Sequence, residues 1–149
     1  MRPADCRLFT ATDPDFEARV RASFARQSFM ATLGATLVSV GPGAVEITMR
    51  HADHIRQQHG FAHAGAIIAI ADSAAGYAAL SLTPASSGVV TAELKINMLN
   101  PARAGPYLAT ARVLKSGRTL TVVEGMVTAE NGAADVLVGL FTMMRIDER

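Results

Sequence analysis

The chain contains few of the residues that mark a disulfide-bonded or a nucleic-acid-binding protein. Cys6 is the one cysteine among 149 residues, so no internal disulfide can form and a reducing compartment is expected. Charged residues make up 18% of the chain, the net charge is +1, and no block of lysine or arginine occurs. With no tryptophan and no basic patch, nucleic-acid binding has little support. The first residues lack the apolar segment of a signal peptide, so we expect a cytoplasmic location.

Hydrophobic residues are abundant where charge is scarce. They make up half of the chain, which excludes a disordered protein and supplies enough apolar surface for one core. We expect a flexible lead-in over residues 1–12, followed by a single domain over residues 13–149. The scarcity of polar surface indicates that another subunit covers part of this domain.

The longest apolar run extends from Ala64 to Leu82 and contains one charged residue, Asp72. The run is just long enough to cross a membrane. An aspartate near the middle of a span costs roughly 2.5–3.5 kcal/mol, however, and the flanks lack basic clusters and aromatic belts. We therefore predict a helix that is buried within protein. A carboxyl group in such a helix requires a partner, a shifted pKa or a function.

The residues before this run predict a short helix and a hairpin. An amphipathic helix is expected over residues 13–28, with Pro14 in its first turn. A hairpin is expected over residues 35–50, with a turn at Gly41-Pro42-Gly43. The arginines of the first helix are expected to face water: Arg19, Arg21 and Arg26.

Four strand-like runs follow the central helix. In the first, Val90, Ala92, Leu94, Ile96 and Met98 alternate with Thr91, Glu93, Lys95 and Asn97, which predicts one core face and one polar face. Turns at 115–118 and 130–132 join the others. Tight turns favour an antiparallel sheet, and a helix that is apolar on all sides can cover it. We predict an α+β fold in which about five to six strands curl around the central helix, with an extra N-terminal helix and a dimer that extends or stacks the sheet.

Four stretches of the chain resemble the PaaI-like acyl-CoA thioesterases, which have the hot-dog fold. They occur in the family's order and spacing and cover most of the chain after residue 50. They are QHGFAHAG at 58–65, ADSAAGYAA at 71–79, TAELKIN at 91–97 followed by NPA at 100–102, and ARVLKSGRT at 111–119.

This resemblance implies a fold, an assembly and an activity. The family has an antiparallel sheet wrapped around one helix, and its homodimers often pair into homotetramers. Its members hydrolyse acyl-CoA thioesters without a metal or cofactor, and a medium-chain or aryl acyl group is expected here. In the family, the aspartate and the helix start of one site commonly come from opposite subunits.

The resemblance also implies roles for individual residues. Asp72 corresponds to the carboxylate that acts as general base or nucleophile. The backbone N–H groups of Ala64 and Gly65 would hold the carbonyl oxygen, since free N–H groups at a helix start stabilise developing negative charge. Gln57 and Thr91 would position the carbonyl or the attacking water. Ala64 departs from the family's usual glycine, which keeps the N–H donor and is expected to restrict the size of the acyl group.

Further residues are candidates for substrate contact. Phe61, Ile68, Tyr77 and Met98 would line an acyl pocket, although plain core packing explains them equally well. Asn97 lies in the matching strand, and His63 would stabilise the turn and border the site. If the resemblance holds, a basic turn would bind the CoA phosphates, whereas the alternative is a solvated hairpin. This turn consists of Lys115, Ser116, Gly117 and Arg118.

Three alternatives remain to be compared with this interpretation. His59 and His63 lie four residues apart, but Gly60 separates them and acidic or cysteine ligands are missing nearby, so we expect no metal site. A non-catalytic module that binds acyl-CoA or a fatty acyl group is the main alternative function. A hydratase is disfavoured because the Asp-x4-His dyad of such enzymes is missing: Gly76 and Tyr77 follow Asp72 by four and five residues.

Overall fold

The computed structural model describes residues 9–147, and it has the predicted α+β architecture. The predicted lead-in over residues 1–12 falls mostly outside this range. Single-turn 3₁₀ helices occur at Asp53–Ile55 and Glu130–Gly132. The main elements are α1 (Phe16–Ala25), α2 (Ser28–Leu33), β1 (Ala35–Gly41), β2 (Ala44–Met49), α3 (Ala64–Leu80), β3 (Ser87–Met98), β4 (Tyr107–Ser116), β5 (Leu120–Ala129) and β6 (Ala134–Asp147).

The six strands form one antiparallel sheet in the order β1-β2-β4-β5-β6-β3. Its inner face packs on α3 through fully buried side chains such as Ile47, Val123 and Phe141. The predicted hot-dog arrangement is thereby confirmed. Because β3 pairs with β6 and not with its sequence neighbour β4, the strand that follows α3 lies at an edge of the sheet.

The central helix is buried because its side chains are small on nearly every side. Ile67, Ile70 and Ala74 recur at helical spacing and have no solvent exposure, and most of the other alanines of α3 are buried as well. Small side chains allow the sheet to approach the helix closely. In the described residues, no helix is long and apolar enough to cross a membrane.

The N-terminal region differs from the single helix predicted over residues 13–28. The helix is interrupted at Gln27, which has an extended backbone. The second helix, α2, then ends at Gly34, which has a positive φ of 67°. The prediction that Arg19 faces water was wrong. Its guanidinium lies 2.9 Å from the buried Asp13 carboxylate and donates to the carbonyl oxygens of residues 80, 83, 84 and 87. Arg19 therefore joins α1 to the end of α3 and to the segment that follows it.

The prediction for β3 was wrong at two positions, Val90 and Thr91, because the strand contains a bulge. Ala92 has no partner between the pairs Thr91–Met143 and Glu93–Thr142. Paired residues of neighbouring strands share a face, so Thr91 lies on the inner face with the buried Met143. Val90 correspondingly lies on the outer face, where the prediction had placed Thr91.

Two other apolar residues of β3, Leu94 and Met98, lie on the predicted side but are not covered. Leu94 and Met98 pair with buried residues of β6, yet their side chains are 38% and 40% exposed. The reason is their position at the sheet edge, where α3 makes few contacts.

Candidate active site

Asp72 lies in the third turn of α3 and faces the edge strand β3. Its side chain is half-buried, and its Oδ1 accepts a 2.8 Å hydrogen bond from the Thr91 hydroxyl. The bulge at Ala92 makes this contact possible, because it turns Thr91 toward the helix. Two of the residues selected from the sequence are therefore in direct contact.

The pKa of Asp72 is raised above the ordinary aspartate value. Burial is the main cause, since it disfavours the charged carboxylate, and the hydrogen bond from Thr91 opposes the shift. The carboxyl group therefore accepts a proton more readily than an exposed aspartate does. Such a shift suits a group that takes a proton from water during a reaction.

A cavity of about 300 Å³ opens beside this pair, and we call it the Asp72 cavity. It extends from Asp72 and Thr91 along α3 toward the C-terminal end of the helix. Two polar contacts join its walls: the Ser73 hydroxyl donates to the Gln27 Oε1 at 3.2 Å, and the hydroxyls of Ser23 and Tyr77 lie 3.4 Å apart. The lining residues are Ser23, Gln27, Asp72, Ser73, Gly76, Tyr77, Leu80, Gly88, Val89, Val90, Thr91, Met143 and Ile146.

The start of α3 is capped by the side chain of His63. Its Nδ1 accepts a 2.9 Å hydrogen bond from the Gly65 N–H. Both N–H groups were expected to hold a carbonyl oxygen; the cap occupies that of Gly65, and the role of the Ala64 N–H stays a prediction. The Ala64 N–H forms no hydrogen bond with any described residue. Ala64 thus offers the free donor, while Gly65 is occupied by the cap.

A second cavity, of about 510 Å³, lies at this helix start, and we call it the Ala64 cavity. Its loop wall is held by backbone bonds from the N–H of Ala62 to the carbonyl of Ala102 at 2.9 Å and from His63 to Ile55 at 2.7 Å. Gln57 is fixed in the same loop, because its Oε1 accepts from the His59 N–H. The lining residues are Gln57, Gln58, Phe61, Ala62, His63, Ala64, Met98, Leu99, Asn100, Pro101 and Ala102.

A buried tyrosine supports the wall of the Ala64 cavity from behind. The Tyr107 hydroxyl donates to the Ala102 carbonyl at 2.9 Å and lies 2.6 Å from Nδ1 of His51. Burial, reinforced by the negative charge of Glu130, raises the pKa of Tyr107 to about 12. The hydroxyl therefore stays protonated at neutral pH and can hold the loop in place.

The two cavities are separate within one chain. Ala64 and Asp72 are eight residues apart on α3, which corresponds to roughly 12 Å along the helix axis. The cavities have no lining residue in common. One copy of the chain therefore does not bring the carboxylate and the free N–H to the same point.

The other predicted substrate residues lie outside both cavities. Ile68 is half-buried on α3 between them, and Asn97 lies on the outer face of β3, paired with Val138. The exposed turn at 115–118 lies three strands away from Thr91. Ser116 and Thr91 are aligned across the sheet, so the distance between them is roughly 14 Å, three times the spacing between strands. Their roles in substrate binding remain predictions.

A larger groove, of about 620 Å³, lies on the outer face of the sheet. Its charged side chains are already paired: Arg112 binds Glu124 at 2.8 Å, and Glu46 accepts from Ser39 at 2.8 Å. It contains neither Asp72 nor the start of α3. Chemistry is therefore more reasonably assigned to the two smaller cavities. Residues 9–147 also contain no group of three or more histidine, cysteine or acidic side chains that could hold a metal ion.

Comparison with known proteins places the chain in a family. The sequence model of the Thioesterase superfamily matches residues 59–135. The chain belongs to this superfamily. A crystal structure of a thioesterase family protein from Silicibacter pomeroyi is 43% identical, with a TM-score of 0.85, and the match covers 89% of this chain and 98% of that one. The PaaI protein of E. coli has the same fold, with a TM-score of 0.82, 23% identity and coverage of 90% and 95%.

Curated relatives of this superfamily member match over shorter stretches. A candidate esterase from Saccharolobus solfataricus is 33% identical over 62% of this chain, and the match spans 65% of that protein, less than two thirds of its length. A 1,4-dihydroxy-2-naphthoyl-CoA hydrolase from Listeria monocytogenes is 28% identical over 66% of this chain and 80% of that one.

Several residues at the two cavities were not identified from the sequence. Ser73 lies next to Asp72, and Gly76 lies one helical turn after Asp72, so helical spacing could have revealed both. Gln58 adjoins the predicted Gln57. Ser23 and Gln27 carry no such signal, because only the packing of α1 on α3 and the hydrogen bond between Ser73 and Gln27 bring them to the cavity.

Proposed function

We propose that this superfamily member hydrolyses acyl-CoA thioesters, with Asp72 as general base or nucleophile. The observation that carries the proposal is the half-buried Asp72 carboxyl, which Thr91 holds at 2.8 Å in an open cavity and whose pKa is raised. The hydrolase from L. monocytogenes, whose name specifies an acyl-CoA, supports this substrate class. No cofactor is required, because water, a carboxylate and a backbone donor suffice for the reaction.

The chemistry can follow either of two routes. As a base, Asp72 takes a proton from water while the water oxygen bonds to the thioester carbon. The carbonyl oxygen becomes negative and accepts from the Ala64 N–H, after which the C–S bond breaks and the CoA thiolate takes up the proton. As a nucleophile, Asp72 bonds to the carbonyl carbon, CoA leaves, and water cleaves the resulting anhydride.

We further propose that a second copy of the chain completes each site. Asp72 and the Ala64 N–H are too far apart on one helix to act on the same carbonyl. The edge strand β3 exposes Val90, Leu94 and Met98, which are 38–41% exposed, Leu99 directly after it is 50% exposed, and the strand lies between the two cavities. An unpaired edge with exposed apolar side chains favours pairing with another strand. A homodimer formed there would place the helix start of one subunit near Asp72 of the other, and such dimers can pair into tetramers.

This arrangement indicates where the acyl group and the CoA moiety would bind. The Asp72 cavity accommodates a medium-chain or aryl acyl group, with Tyr77 in its wall and Thr91 near the carbonyl. The carbonyl oxygen and the sulfur of the thioester would lie in the Ala64 cavity. Its lining includes Gln57, Phe61, His63, Ala64 and Met98. The exposed basic turn with Lys115 and Arg118 is available for the CoA phosphates.

Turnover of a panel of acyl-CoA thioesters tests the activity. Short-chain, medium-chain and aryl thioesters are each assayed for release of free CoA thiol. We expect hydrolysis of at least one aryl or medium-chain member. Absence of turnover across the panel would refute the proposed hydrolysis. Tight binding without turnover would instead favour an acyl-CoA carrier or sensor.

Co-expression of two defective variants tests the shared site. Asp72→Asn removes the carboxylate, and Ala64→Pro removes the free N–H. If each site takes one group from each subunit, a mixed dimer of these variants has one intact site. Random pairing then restores about a quarter of native turnover, because half of the dimers are mixed and each carries one intact site of two. No recovery in verified mixed dimers would show that the site does not draw these groups from different subunits.

A further inference from the structure

The two walls of the Ala64 cavity come from segments that are far apart in the sequence. One wall is the loop that leads into α3, and the other is the segment over residues 99–102, which follows β3. This second wall is fixed at its near end, because the Leu99 N–H and the Asn100 side chain each donate to a carbonyl at the start of β6 at 2.8 Å. Its far end, Ala102, meets the first wall. The spacing of the walls therefore depends on the contact at Ala102.

The Ala102 carbonyl accepts two hydrogen bonds, one from each side. The Ala62 N–H donates to it at 2.9 Å, and the Tyr107 hydroxyl donates to it at 2.9 Å as well. A carbonyl oxygen has two lone pairs, so both are used. The three residues are at most 5% exposed, and a buried group that loses its partner is not readily satisfied by water. The Tyr107 hydroxyl thus holds the carbonyl that joins the two walls.

His51 binds the same hydroxyl from the other side. Its Nδ1 lies 2.6 Å from the Tyr107 oxygen. The hydroxyl has one proton and donates it to Ala102, so we assign the proton of this second bond to Nδ1 of His51. Gly105 permits the close approach, since a Cβ there would lie 2.8 Å from the His51 backbone nitrogen. We call His51, Tyr107 and Ala102 the Tyr107 clamp.

A second contact between the walls lies on the outside of the protein. The Arg103 guanidinium is 4.6 Å from the centroid of the Phe61 ring. Arg103 is exposed, so water competes for its charge and weakens the contact. The clamp, in contrast, joins the walls through buried groups. It is therefore the stronger candidate for setting the distance between them.

The clamp and the His63 cap control different parts of the Ala64 cavity. The cap sets the direction of the Ala64 N–H within α3, whereas the clamp sets the position of the wall that faces it. In the proposed reaction, the thioester carbonyl lies between this wall and the Ala64 N–H. A donor stabilises the oxyanion only within hydrogen-bond distance, and a misplacement of about 1 Å can reduce the rate by about 10²-fold. The wall must therefore be held closely.

From this arrangement we infer that Tyr107 and His51 are positioning residues for the reaction: they hold residues 99–102 at the distance that keeps the thioester carbonyl against the Ala64 N–H. The inference rests on the proposed function. Neither residue lines the Ala64 cavity, so both act through Ala102. His51 also lies outside residues 59–135, the stretch that matches the superfamily model.

A double-mutant cycle of Tyr107→Phe and Ala64→Pro tests the inference. Tyr107→Phe keeps the ring and removes the hydroxyl. We expect kcat to fall about tenfold, as for one buried hydrogen bond, with KM changed by less than about twofold. In the Ala64→Pro background, which lacks the donor, the same substitution should change kcat by less than about twofold. A tenfold fall in both backgrounds, or native kcat in folded Tyr107→Phe, would overturn the inference.

Ser81→Ala is the matched control for a general loss of stability. The buried Ser81 hydroxyl accepts from the Gly43 N–H at 2.8 Å and donates to the Ala78 carbonyl at 2.7 Å. It joins two segments as Tyr107 does, but it lines neither cavity. Ser81→Ala should lower the melting temperature and leave kcat unchanged. If it lowered kcat as much as Tyr107→Phe does, loosening of the whole fold would explain both losses and the inference would fail.

Substitutions of the half-buried His51 supply folded variants if Tyr107→Phe is unstable. His51→Leu removes the Nδ1 donor and leaves the Tyr107 hydroxyl in place, so kcat should fall several-fold. His51→Asn places an amide N–H near the position of Nδ1 and should recover most of this loss. Native kcat in His51→Leu, or equal losses in the two variants, would remove His51 from the clamp.

Hydrogen exchange at the Ala62 amide separates the inference from the proposed activity, because it requires no substrate. Tyr107→Phe should raise the exchange rate of this amide about tenfold and leave amides in the middle of β5 unchanged, while Ser81→Ala should not raise it selectively. If no thioester is hydrolysed but Ala62 responds in this way, hydrolysis is refuted and the clamp still sets the spacing of the walls. If thioesters are hydrolysed but Ala62 does not respond, the clamp is refuted and hydrolysis stands.

Discussion

The two cavities beside α3 differ in what holds their polar groups in place. In the Asp72 cavity, Asp72 is held by Thr91 from β3, and Ser73 by Gln27 from the N-terminal helices. In the Ala64 cavity, the free N–H is a backbone group, and its position follows from the local cap by His63. The positions of the side chains in the Asp72 cavity thus depend on distant packing, whereas the position of the proposed oxyanion donor depends on one turn of the chain. Substitutions should therefore affect the two cavities in different ways.

The largest effect is expected when the Asp72 cavity loses its carboxylate. Asp72→Asn keeps the shape of the side chain and can still accept from Thr91, but it cannot take a proton or attack. We expect kcat for the best thioester to fall by about 10²–10⁴-fold. The melting temperature serves as the control for folding. Native-like turnover by a folded variant would remove Asp72 from the mechanism.

A comparable but smaller loss is expected when the Ala64 cavity loses its donor. Proline is well tolerated at the first position of a helix, and His63 has the extended backbone, ψ 136°, that precedes proline. Ala64→Pro therefore removes the N–H with little change to the helix. We expect a loss of about 10²–10³-fold in kcat.

Ala64→Gly is the matched control for this loss, because it also changes the side chain but retains the N–H. It should keep most of the activity and extend the range of accepted acyl groups. Equal losses in the proline and glycine variants would show that the side chain, and not the donor, is responsible. The measurement is kcat for each variant with the same thioester.

A moderate effect is expected from Thr91→Val, and it depends on pH. The Thr91 hydroxyl lowers the pKa of Asp72 against the larger effect of burial. Its removal should raise that pKa further, so less of the base is ionised at a given pH. The acid limb of the kcat/KM profile should then shift to higher pH, and activity below it should fall several-fold. Thr91→Ser keeps the hydroxyl donor and should retain the acid limb of the native profile. Identical profiles for the valine and serine variants would show that the Thr91 hydroxyl does not affect the pKa of Asp72.

The smallest effect is expected at the cap of α3. His63→Ala removes the acceptor for the Gly65 N–H and should lower the free energy of unfolding by about 1 kcal/mol. For a chain of this length that corresponds to about 2–4 °C in melting temperature. His63→Asn supplies another capping acceptor and should recover most of the loss. If the His63→Ala variant were as stable as the native protein, the His63 side chain would not act as the cap.

The general fold could be predicted because it depends on local patterns. The alanine-rich run with a lone Asp72 indicated a buried helix, and the glycine turn at 41–43 indicated the first hairpin. The position of β3 at the sheet edge could not be derived in this way, since local alternation does not determine strand order. Its exposed Leu94 and Met98 were expected to lie in the core for the same reason.

The site was predictable where one residue's chemistry limits its surroundings. A carboxylate in an apolar helix requires a partner, and Asp72 has one in Thr91. The partner of Arg19 could not be foreseen, because an arginine on an amphipathic helix normally faces water and the carbonyls that bind it lie more than 60 residues away. Gln27 was missed for a similar reason: its role depends on a helix break that has no strong signal in the sequence.

The bulge at Ala92 makes the number of residues in β3 as important as their identity. Ala92 contributes only a methyl group, yet its presence turns Thr91 toward Asp72. Deleting Ala92 would restore simple alternation and direct either Thr91 or all the residues that follow it to the opposite face. A one-residue deletion at this point would therefore be more damaging than most substitutions, although it removes no reactive group. Among homologues, the length of this strand is accordingly a test of whether the carboxylate keeps its partner.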